Sequence, residues 1–282
     1  SNMNQKREES SENRVDGPQA SVAARLGRAT KLEQIGKPIE ARAELETALA
    51  EARATPYEIE FRTRIQLAMM LADSYFDAGD LNRARALMGE ESAFAERIAQ
   101  IMQATGTPHQ SRAANSGYIQ LRDRAAQLTL IEREAPAISV AEWVNGRPMM
   151  LADLRGRVVL LEFWATWCQP CREMFPKLKS LHQKFAGRGL EIIALTRFYM
   201  SHPGAADSRA QELELIRRAV AEHDLEFRVG VMEDERAQEI YGANGLPTLF
   251  IIDRQGRARW AGHVNEDAEL ETLLERFLDE PV

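Results

Sequence analysis

The spacing of hydrophobic positions changes once along the chain. From Ala20 to about Ile131 the sequence is rich in Ala, Leu, Arg, Glu and Gln, with few β-branched residues and glycines only at intervals. This composition is typical of helices. The pattern predicts an all-α region with helices at about 20–35, 39–54, 57–78, 81–103 and 111–133, separated by breaks that contain glycine or proline.

A second pattern, of short β-rich runs, starts between Arg133 and Ile138, and Pro136 marks a stop that a helix does not cross easily. It predicts strands at 138–144, 148–151, 157–163, 190–196, 227–231, 248–253 and 257–262, with helices at 169–187, 208–224, 234–241 and 266–279. The last two strands meet across the turn sequence Asp253–Gly256, which indicates a mixed sheet with an antiparallel hairpin. We therefore expect an all-helical domain at 20–134 and an α/β domain at 135–282.

Two helical hairpins in the first half share a pattern. Gly36 is followed by Ala41 at the same offset as Gly79 is by Ala84, and small residues there let helices approach closely. The pattern resembles tetratricopeptide repeats, although the two units lie 43 residues apart and not about 34. The resemblance implies a surface for a protein or peptide partner, and a plain helical bundle is the alternative. The matching positions are Gly36, Ala41, Leu45 and Ala48, then Leu71, Ala72, Tyr75, Gly79 and Ala84.

Charge and hydropathy exclude some classes of protein. The net charge is -7, with 18 basic and 20 acidic residues up to Ala135 and 18 and 23 after it, so neither half has the basic excess typical of nucleic-acid binding. No apolar run approaches the roughly 20 residues of a membrane-spanning helix. Residues 1–19 are expected to be a tag scar, at Ser1 and Asn2, and a disordered leader. That leader cannot be a signal peptide, and an anchor removed upstream stays open.

Both cysteines of the chain fall in one Cys-x-x-Cys, Cys168 and Cys171, which excludes a disulfide-stapled scaffold and a four-cysteine zinc site. The motif follows an apolar strand and opens a predicted helix. Helix N-termini stabilise a thiolate, the species that attacks disulfides, so Cys168 is predicted as the nucleophile. Cys171, one turn on, is predicted as the less exposed resolving thiol. Half of a metal site and a pair of buried thiols are the alternatives, and no metal or cofactor is expected.

The segment Glu162–Arg172 resembles the thioredoxin superfamily, especially its TlpA/ResA-like branch. The resemblance covers about 135–282, and further motifs support it at Leu154–Arg157, Pro176, Gly245–Thr248 and Ile252–Gly256. It implies an α/β thioredoxin-like fold, a mixed sheet flanked by helices, and a thiol-disulfide oxidoreductase that reduces protein disulfides with electrons from an upstream donor. It also implies a location outside the bacterial cytoplasmic membrane. A cytoplasmic location follows instead if Met3 is the native start.

The same resemblance implies roles for further residues. Pro247 is expected to be a cis-proline facing the cysteines, with an ordinary trans-proline as the alternative. Glu162 is expected to accept the proton of Cys171, because desolvation raises the pKa of a buried carboxyl. The alternative is a glutamate that reaches a solvated edge or a basic neighbour. Substrate contacts are implied at Trp167, Gln169, Pro170, Leu246 and Pro247.

The sequence departs from the branch at one position. Met174 stands where these proteins often have glutamate, and Glu173 is one residue early, about 100° away on a helix and expected to be exposed. Specificity assigned through that acid, including apocytochrome c reduction, is therefore not carried over. His182 and His223 fit polar helix faces, while His263 leaves open a copper site. The stretch containing Phe198, Tyr199, Met200 and His202 is expected either to border the active site or to pack in the core.

Two other functions stay open. A thiol peroxidase of the peroxiredoxin kind would have Pro seven and Thr three residues before its cysteine, where this chain has Leu161 and Ala165. A scaffold is the other alternative, in which the helical half binds a partner and the thioredoxin-like half is structural. A helical half that recruits substrate would combine the two ideas, since it raises the effective concentration of substrate at Cys168.

Overall fold

The computed structural model describes residues 17–201, 206–263 and 267–282. These residues form two compact units, the first ending at Ala125 and the second starting at Ala126. The domain limits expected from the sequence, at 19/20 and 134/135, stay predictions, and most of the expected leader lies outside the described residues. Within the described ranges no helix combines the length and apolar character that a membrane crossing requires.

The first unit is all-helical, as predicted. It contains α1 (Pro18–Gln34), α2 (Pro38–Ala54), α3 (Phe61–Asp77), α4 (Leu81–Thr105) and most of α5 (Pro108–Leu130), which continues past the division between the units. Helix α1 packs on α2, α2 on α3, and α3 on α4. The start of α3 differs from the predicted residue 57, because a turn after Pro56 occupies the residues before Phe61.

The first helix of each hairpin ends in the same way. Gly36 and Gly79 adopt φ of +73° and +78°, a left-handed conformation that glycine takes without steric strain. The next residues donate N–H bonds five residues back, from Lys37 to Leu32 and from Asp80 to Tyr75. Five positions after each glycine, Ala41 and Ala84 are fully buried between their helices. The hairpins therefore repeat in detail, while their assignment as tetratricopeptide repeats stays a prediction.

The second unit is built on a six-stranded mixed sheet in the order β1-β4-β3-β2-β5-β6. Strands β2, β3 and β4 are parallel, β5 runs antiparallel to β2, and β6 and β1 run antiparallel to β5 and β4. The mixed sheet flanked by helices and the β5–β6 hairpin confirm the predicted fold class. The strands are β1 (Val140–Asn145), β2 (Val158–Phe163), β3 (Leu190–Arg197), β4 (Arg228–Met232), β5 (Thr248–Ile252) and β6 (Ala258–Gly262); the helices are α6 (Gln169–Phe185), α7 (Ala206–Glu222), α8 (Arg236–Tyr241) and α9 (Asp267–Asp279).

The predicted strand at 148–151 is wrong. The chain there leads into a short 3-10 helix at Leu151–Leu154. Pro148 has no N–H to donate to a sheet, and the carboxylate of Asp153 accepts the N–H of Met150 at 3.0 Å, which favours a helical turn. The apolar run at 148–151 alone could not reveal this local hydrogen bond.

Strand β2 lies inside the sheet between β3 and β5, and all six of its residues are buried. Its sequence is a nearly continuous apolar run, as expected of a strand covered on both faces. The exception is Glu162, which lies opposite Ala194 of β3 and Leu249 of β5. This strand leads directly into the loop and helix that carry both cysteines.

Candidate active site

The two cysteines lie at the first turn of α6. Cys168 is the N-cap residue of this helix, and its Sγ accepts a hydrogen bond from the backbone N–H of Cys171 at 3.3 Å. The two side chains form a disulfide with their Cα atoms 5.3 Å apart. Cys168 is 4% exposed and Cys171 is fully buried. The N–H of Cys171 and the start of the helix stabilise negative charge on the Cys168 sulfur when the disulfide is open.

Glu162 is fully buried in β2, six residues before Cys168. Neither carboxylate oxygen has a hydrogen-bond partner among the described residues. Desolvation by burial holds the pKa of Glu162 well above its usual value of 4.5, because the charged form has lost its hydration. The alternative of a solvated or ion-paired glutamate is therefore wrong. The arrangement gives this unit a carboxyl that can exchange a proton closer to neutral pH than an ordinary glutamate.

The Leu246–Pro247 peptide bond is cis, as the resemblance to the thioredoxin superfamily implied for Pro247. Both residues are half-buried, and the hydroxyl of Thr248 donates to the carbonyl of Gly245 at 2.6 Å across the loop. Thr248 opens β5 opposite Phe163, the last residue of β2. Because these two strands run antiparallel, the loop before Thr248 and the loop after Phe163 leave the sheet at the same end. The topology thus brings the cis-proline loop and the cysteine loop to one edge of the sheet.

The remaining predicted substrate contacts lie on the surface beside Cys168. Trp167 exposes 59% of its area, and Gln169 and Pro170 are exposed in the first turn of α6. Proline fits there because the first N–H groups of a helix have no intrahelical acceptor. The Gln169 amide donates to the carboxylate of Glu173 at 3.0 Å, and Glu173 is exposed, as predicted. A large aromatic surface therefore adjoins the partly accessible cysteine.

The segment after β3 borders this surface, one of the two placements expected from the sequence. The rings of Trp167 and Tyr199 meet edge-to-face with centroids 5.3 Å apart, and Phe198 instead stacks with the guanidinium of Arg209 at 4.4 Å. His202 lies outside the described residues. The buried residues Glu212 and Gln238 hold this segment, and neither was predicted from the sequence. One signal was available for Gln238, a polar residue three positions before the apolar Tyr241 on the same face of a predicted helix.

Three described histidines of the second unit, His182, His223 and His263, have other surroundings. His223 packs edge-to-face against Phe175 with centroids 5.0 Å apart, and its Nδ1 lies 2.8 Å from the carbonyl of Ala219. His182 lies beside Phe227, and His263 is exposed at the end of β6. Across the described part of the chain, no three His, Cys, Asp or Glu side chains cluster in a way that could hold a metal ion.

The family model that matches this chain covers residues of the second unit. The model of the AhpC/TSA family matches residues 131–261. The thiol-disulfide oxidoreductase ResA of Bacillus cereus (strain ZK / E33L) is 34% identical over 128 residues, which cover 45% of this chain and 66% of that protein. ResA of Bacillus subtilis (strain 168) is 30% identical over 118 residues, covering 42% and 59%. The chain thus spans slightly less than two thirds of these curated relatives.

A solved structure of a thiol-disulfide isomerase from Corynebacterium glutamicum overlaps the chain with a TM-score of 0.45 and 27% identity, covering 52% of this chain and 98% of that one. The mixed sheet, the Cys-x-x-Cys at a helix start and the cis-proline define the second unit as a thioredoxin-like domain. Its sequence is similar to proteins named thiol-disulfide oxidoreductase ResA, in agreement with the TlpA/ResA-like resemblance of the Cys-x-x-Cys motif.

Proposed function

We propose that this protein is a thiol-disulfide oxidoreductase that reduces disulfides of protein substrates. The observation that carries the proposal is the position of Cys168, at the N-cap of α6 with its sulfur accepting the N–H of Cys171. A sulfur so placed is stabilised as a thiolate, and thiolates attack disulfides. The likeness to proteins named thiol-disulfide oxidoreductase ResA supports the same chemistry.

In the first step, the Cys168 thiolate attacks one sulfur of the substrate disulfide. The substrate S–S bond breaks, its electron pair leaves on the second substrate sulfur, and a mixed disulfide to Cys168 forms. The small exposed fraction of Cys168 supports its role as the attacking thiol, because an incoming sulfur must reach it. The N–H of Cys171 stabilises the thiolate before attack.

In the second step, Cys171 resolves the mixed disulfide. The ionised Glu162 carboxylate accepts the thiol proton of Cys171, and the resulting thiolate attacks the Cys168 sulfur. The products are the Cys168–Cys171 disulfide and a substrate reduced by two electrons. Burial supports this role for Glu162, since a raised pKa makes its carboxylate a stronger base than an exposed one. An upstream dithiol donor then restores both thiols by the reverse exchange.

The substrate chain is proposed to lie between two surfaces at the edge of the sheet. On one side, the backbone of Leu246, beside the cis peptide of Pro247, pairs with an extended segment of the substrate as a neighbouring strand would. Exposed residues at the start of α6 lie on the other side, namely Trp167, Gln169 and Pro170. The loops that carry both surfaces leave the sheet at the end where β2 stops and β5 begins.

An extracytoplasmic site of action is part of this proposal, and its support is the likeness to the TlpA/ResA-like branch. Fusing the full chain of the source gene to a reporter enzyme that is active only outside the cytoplasm tests it. Reporter activity supports the location, and a reporter active only inside the cell contradicts it.

The proposed activity is tested by the reduction potential of the Cys168–Cys171 pair in a glutathione or dithiothreitol buffer series. A reversible two-electron transition near thioredoxin's, at roughly -270 mV, supports a reductase, whereas one near roughly -120 mV indicates an oxidant. Absence of a reversible dithiol transition contradicts any disulfide exchange. Peroxide consumption at equal thiol concentration tests the peroxidase alternative. Partner binding that survives replacement of both cysteines favours the scaffold.

A further inference from the structure

The exposed indole of Trp167 has one aromatic partner among the described contacts, the ring of Tyr199. The two rings are almost perpendicular, at 85°, with centroids 5.3 Å apart, the edge-to-face geometry that aromatic pairs prefer. Trp167 immediately precedes Cys168, whereas Tyr199 comes from the segment after β3. A contact between distant parts of the chain therefore sets the position of the side chain beside the reactive sulfur.

Tyr199 is itself fixed at its ring and hydroxyl. The guanidinium of Arg197 stacks over the ring at 4.0 Å, and the hydroxyl lies 2.6 Å from Nε2 of Gln238. Arg197 can only donate hydrogen bonds, and its Nε bonds to Oε1 of Gln238 at 2.5 Å. The Gln238 amide therefore faces Tyr199 with its NH₂ group, and the hydroxyl accepts. Gln238 is buried, so its orientation is held by this network.

The backbone of the same segment is held by Glu212 of α7, whose side chain is 4% exposed. Its carboxylate accepts the N–H of Tyr199 at 2.6 Å, the N–H of Met200 at 3.2 Å and the hydroxyl of Ser201 at 2.6 Å. Hydrogen bonds to a charged acceptor are stronger than neutral ones. Tyr199 is thus fixed by its ring, its hydroxyl and its backbone, whereas an ordinary surface tyrosine keeps rotamer freedom.

Gln238 also contacts the opposite side of the proposed substrate cleft. Its backbone carbonyl accepts the N–H of Ala243 at 2.7 Å, and its Nε2 lies 3.4 Å from the Ala243 carbonyl. Ala243 directly precedes the loop that ends in Pro247. One buried side chain therefore connects the Trp167–Tyr199 pair with the cis-proline loop and fixes both relative to α8.

We propose that Tyr199 is a positioning residue that holds the Trp167 indole as an apolar wall, and that this wall favours substrates with an apolar side chain beside the reacting cysteine. The inference rests on the proposed function and adds a preference to it. An exposed tryptophan that is already fixed binds an apolar side chain without losing its own rotamer freedom, which preserves more of the contact energy. The exposed 59% of Trp167 is the surface available to that side chain.

Two symmetric peptide disulfides that differ only in Leu or Ser before each cysteine test this preference. The expected result is a higher kcat/KM for the Leu peptide, by roughly 2- to 10-fold, the range expected when part of a leucine side chain is removed from water. Tyr199→Ala and Trp167→Ala should each bring the Leu/Ser ratio towards one, mainly through KM. Tyr199→Phe, which retains the ring, should keep most of the preference. Phe198→Ala, on the same segment, is the control that should leave the ratio unchanged.

The double variant Trp167→Ala/Tyr199→Ala separates positioning from a general structural role. If Tyr199 acts through Trp167, the second substitution has no further effect on the ratio. Additive effects, or equal losses on both peptides in Tyr199→Ala, would overturn the inference. If the unaltered protein reduces neither peptide, the proposed function has failed. Near-ultraviolet circular dichroism then tests whether Tyr199 positions the Trp167 indole. Loss of the same aromatic band in both single variants supports it, and a band retained in Tyr199→Ala contradicts it.

Discussion

The buried carboxylate of Glu212 lies 2.6 Å from the backbone nitrogen of Tyr199 and so joins α7 to the segment that follows β3. Replacing Glu212 by alanine removes an acceptor shared by two backbone N–H groups and the hydroxyl of Ser201. The free energy of unfolding should fall by about 2 kcal/mol, since hydrogen bonds to charged groups contribute roughly 1.5–3 kcal/mol each and water replaces part of them. Urea unfolding measures this loss.

Glu214→Ala is the matched control for Glu212→Ala, because Glu214 is an exposed glutamate of the same helix. Its effect should stay within about 0.5 kcal/mol. Glu212→Gln retains one acceptor oxygen and should lie between the two. Equal stability of Glu212→Ala and Glu214→Ala would show that the carboxylate does not hold the segment.

The buried Glu162 should make the free energy of unfolding fall as pH rises. Because burial raises the pKa of Glu162, the folded protein keeps this proton at pH values where the unfolded chain has lost it. The contribution of this group to the free energy of unfolding therefore falls as pH rises from about 4.5 to the folded pKa, and is constant below and above that window. Glu162→Gln removes this dependence.

The oxidised Glu162→Gln variant should accordingly gain stability over the unaltered protein as pH rises through this window, by about 1.4 kcal/mol for each unit of raised pKa. Thermal or urea unfolding from pH 4 to 8 measures the difference, with the exposed Glu239→Gln as control. A difference that shrinks with rising pH would mean that the carboxyl is stabilised as the anion. In turnover, Glu162→Gln should be slower by roughly 100-fold or more, the usual contribution of a positioned acid or base.

The two cysteines should give different single-variant behaviour. Cys168→Ser lacks the attacking thiol, so it should neither form a mixed disulfide nor turn over. Cys171→Ser keeps the attacking thiol and lacks the resolving one, so it should accumulate a mixed disulfide with a peptide substrate. Mass spectrometry of the unreduced protein measures both. Accumulation in Cys168→Ser instead would reverse the assigned roles.

Replacing glycine by alanine in the first unit should have opposite effects at the two helix ends and inside a helix. Gly36 and Gly79 have positive φ, so alanine at either should lower stability by about 1 kcal/mol, although no atom would contact its Cβ within 4 Å. Gly89 lies inside α4 with equally open space, so Gly89→Ala should raise stability by roughly 0.5–1 kcal/mol. Thermal unfolding measures all three. Stabilisation by Gly79→Ala would mean that this turn is not left-handed in solution.

Local signals in the sequence were sufficient for most of the fold. The apolar run of β2, the helix start at Cys168 and the turn at Asp253–Gly256 were all predicted from neighbouring residues. The 3-10 helix at Leu151–Leu154 was missed because a side-chain hydrogen bond of Asp153 outweighs the strand preference of the short apolar run there.

The candidate site was predicted only where a motif carried it. The cysteines, Glu162 and Pro247 stand at motif positions. Glu212 and Gln238 were missed because each acts on a residue tens of positions away, and only tertiary packing brings them together. A buried polar side chain on an amphipathic helix is recognisable in a sequence, but its partner is not.

The complete burial of β2 between two neighbouring strands limits how Glu162 can exchange protons with solvent. Backbone amides of a strand paired on both sides usually exchange with solvent only through large-scale opening of the domain. Glu162 is the fifth of the six residues of this strand, and its side chain has no exposed area. Exchange of its proton with solvent therefore requires the residues packed around it to move apart, which makes that exchange much rarer than at a surface carboxyl.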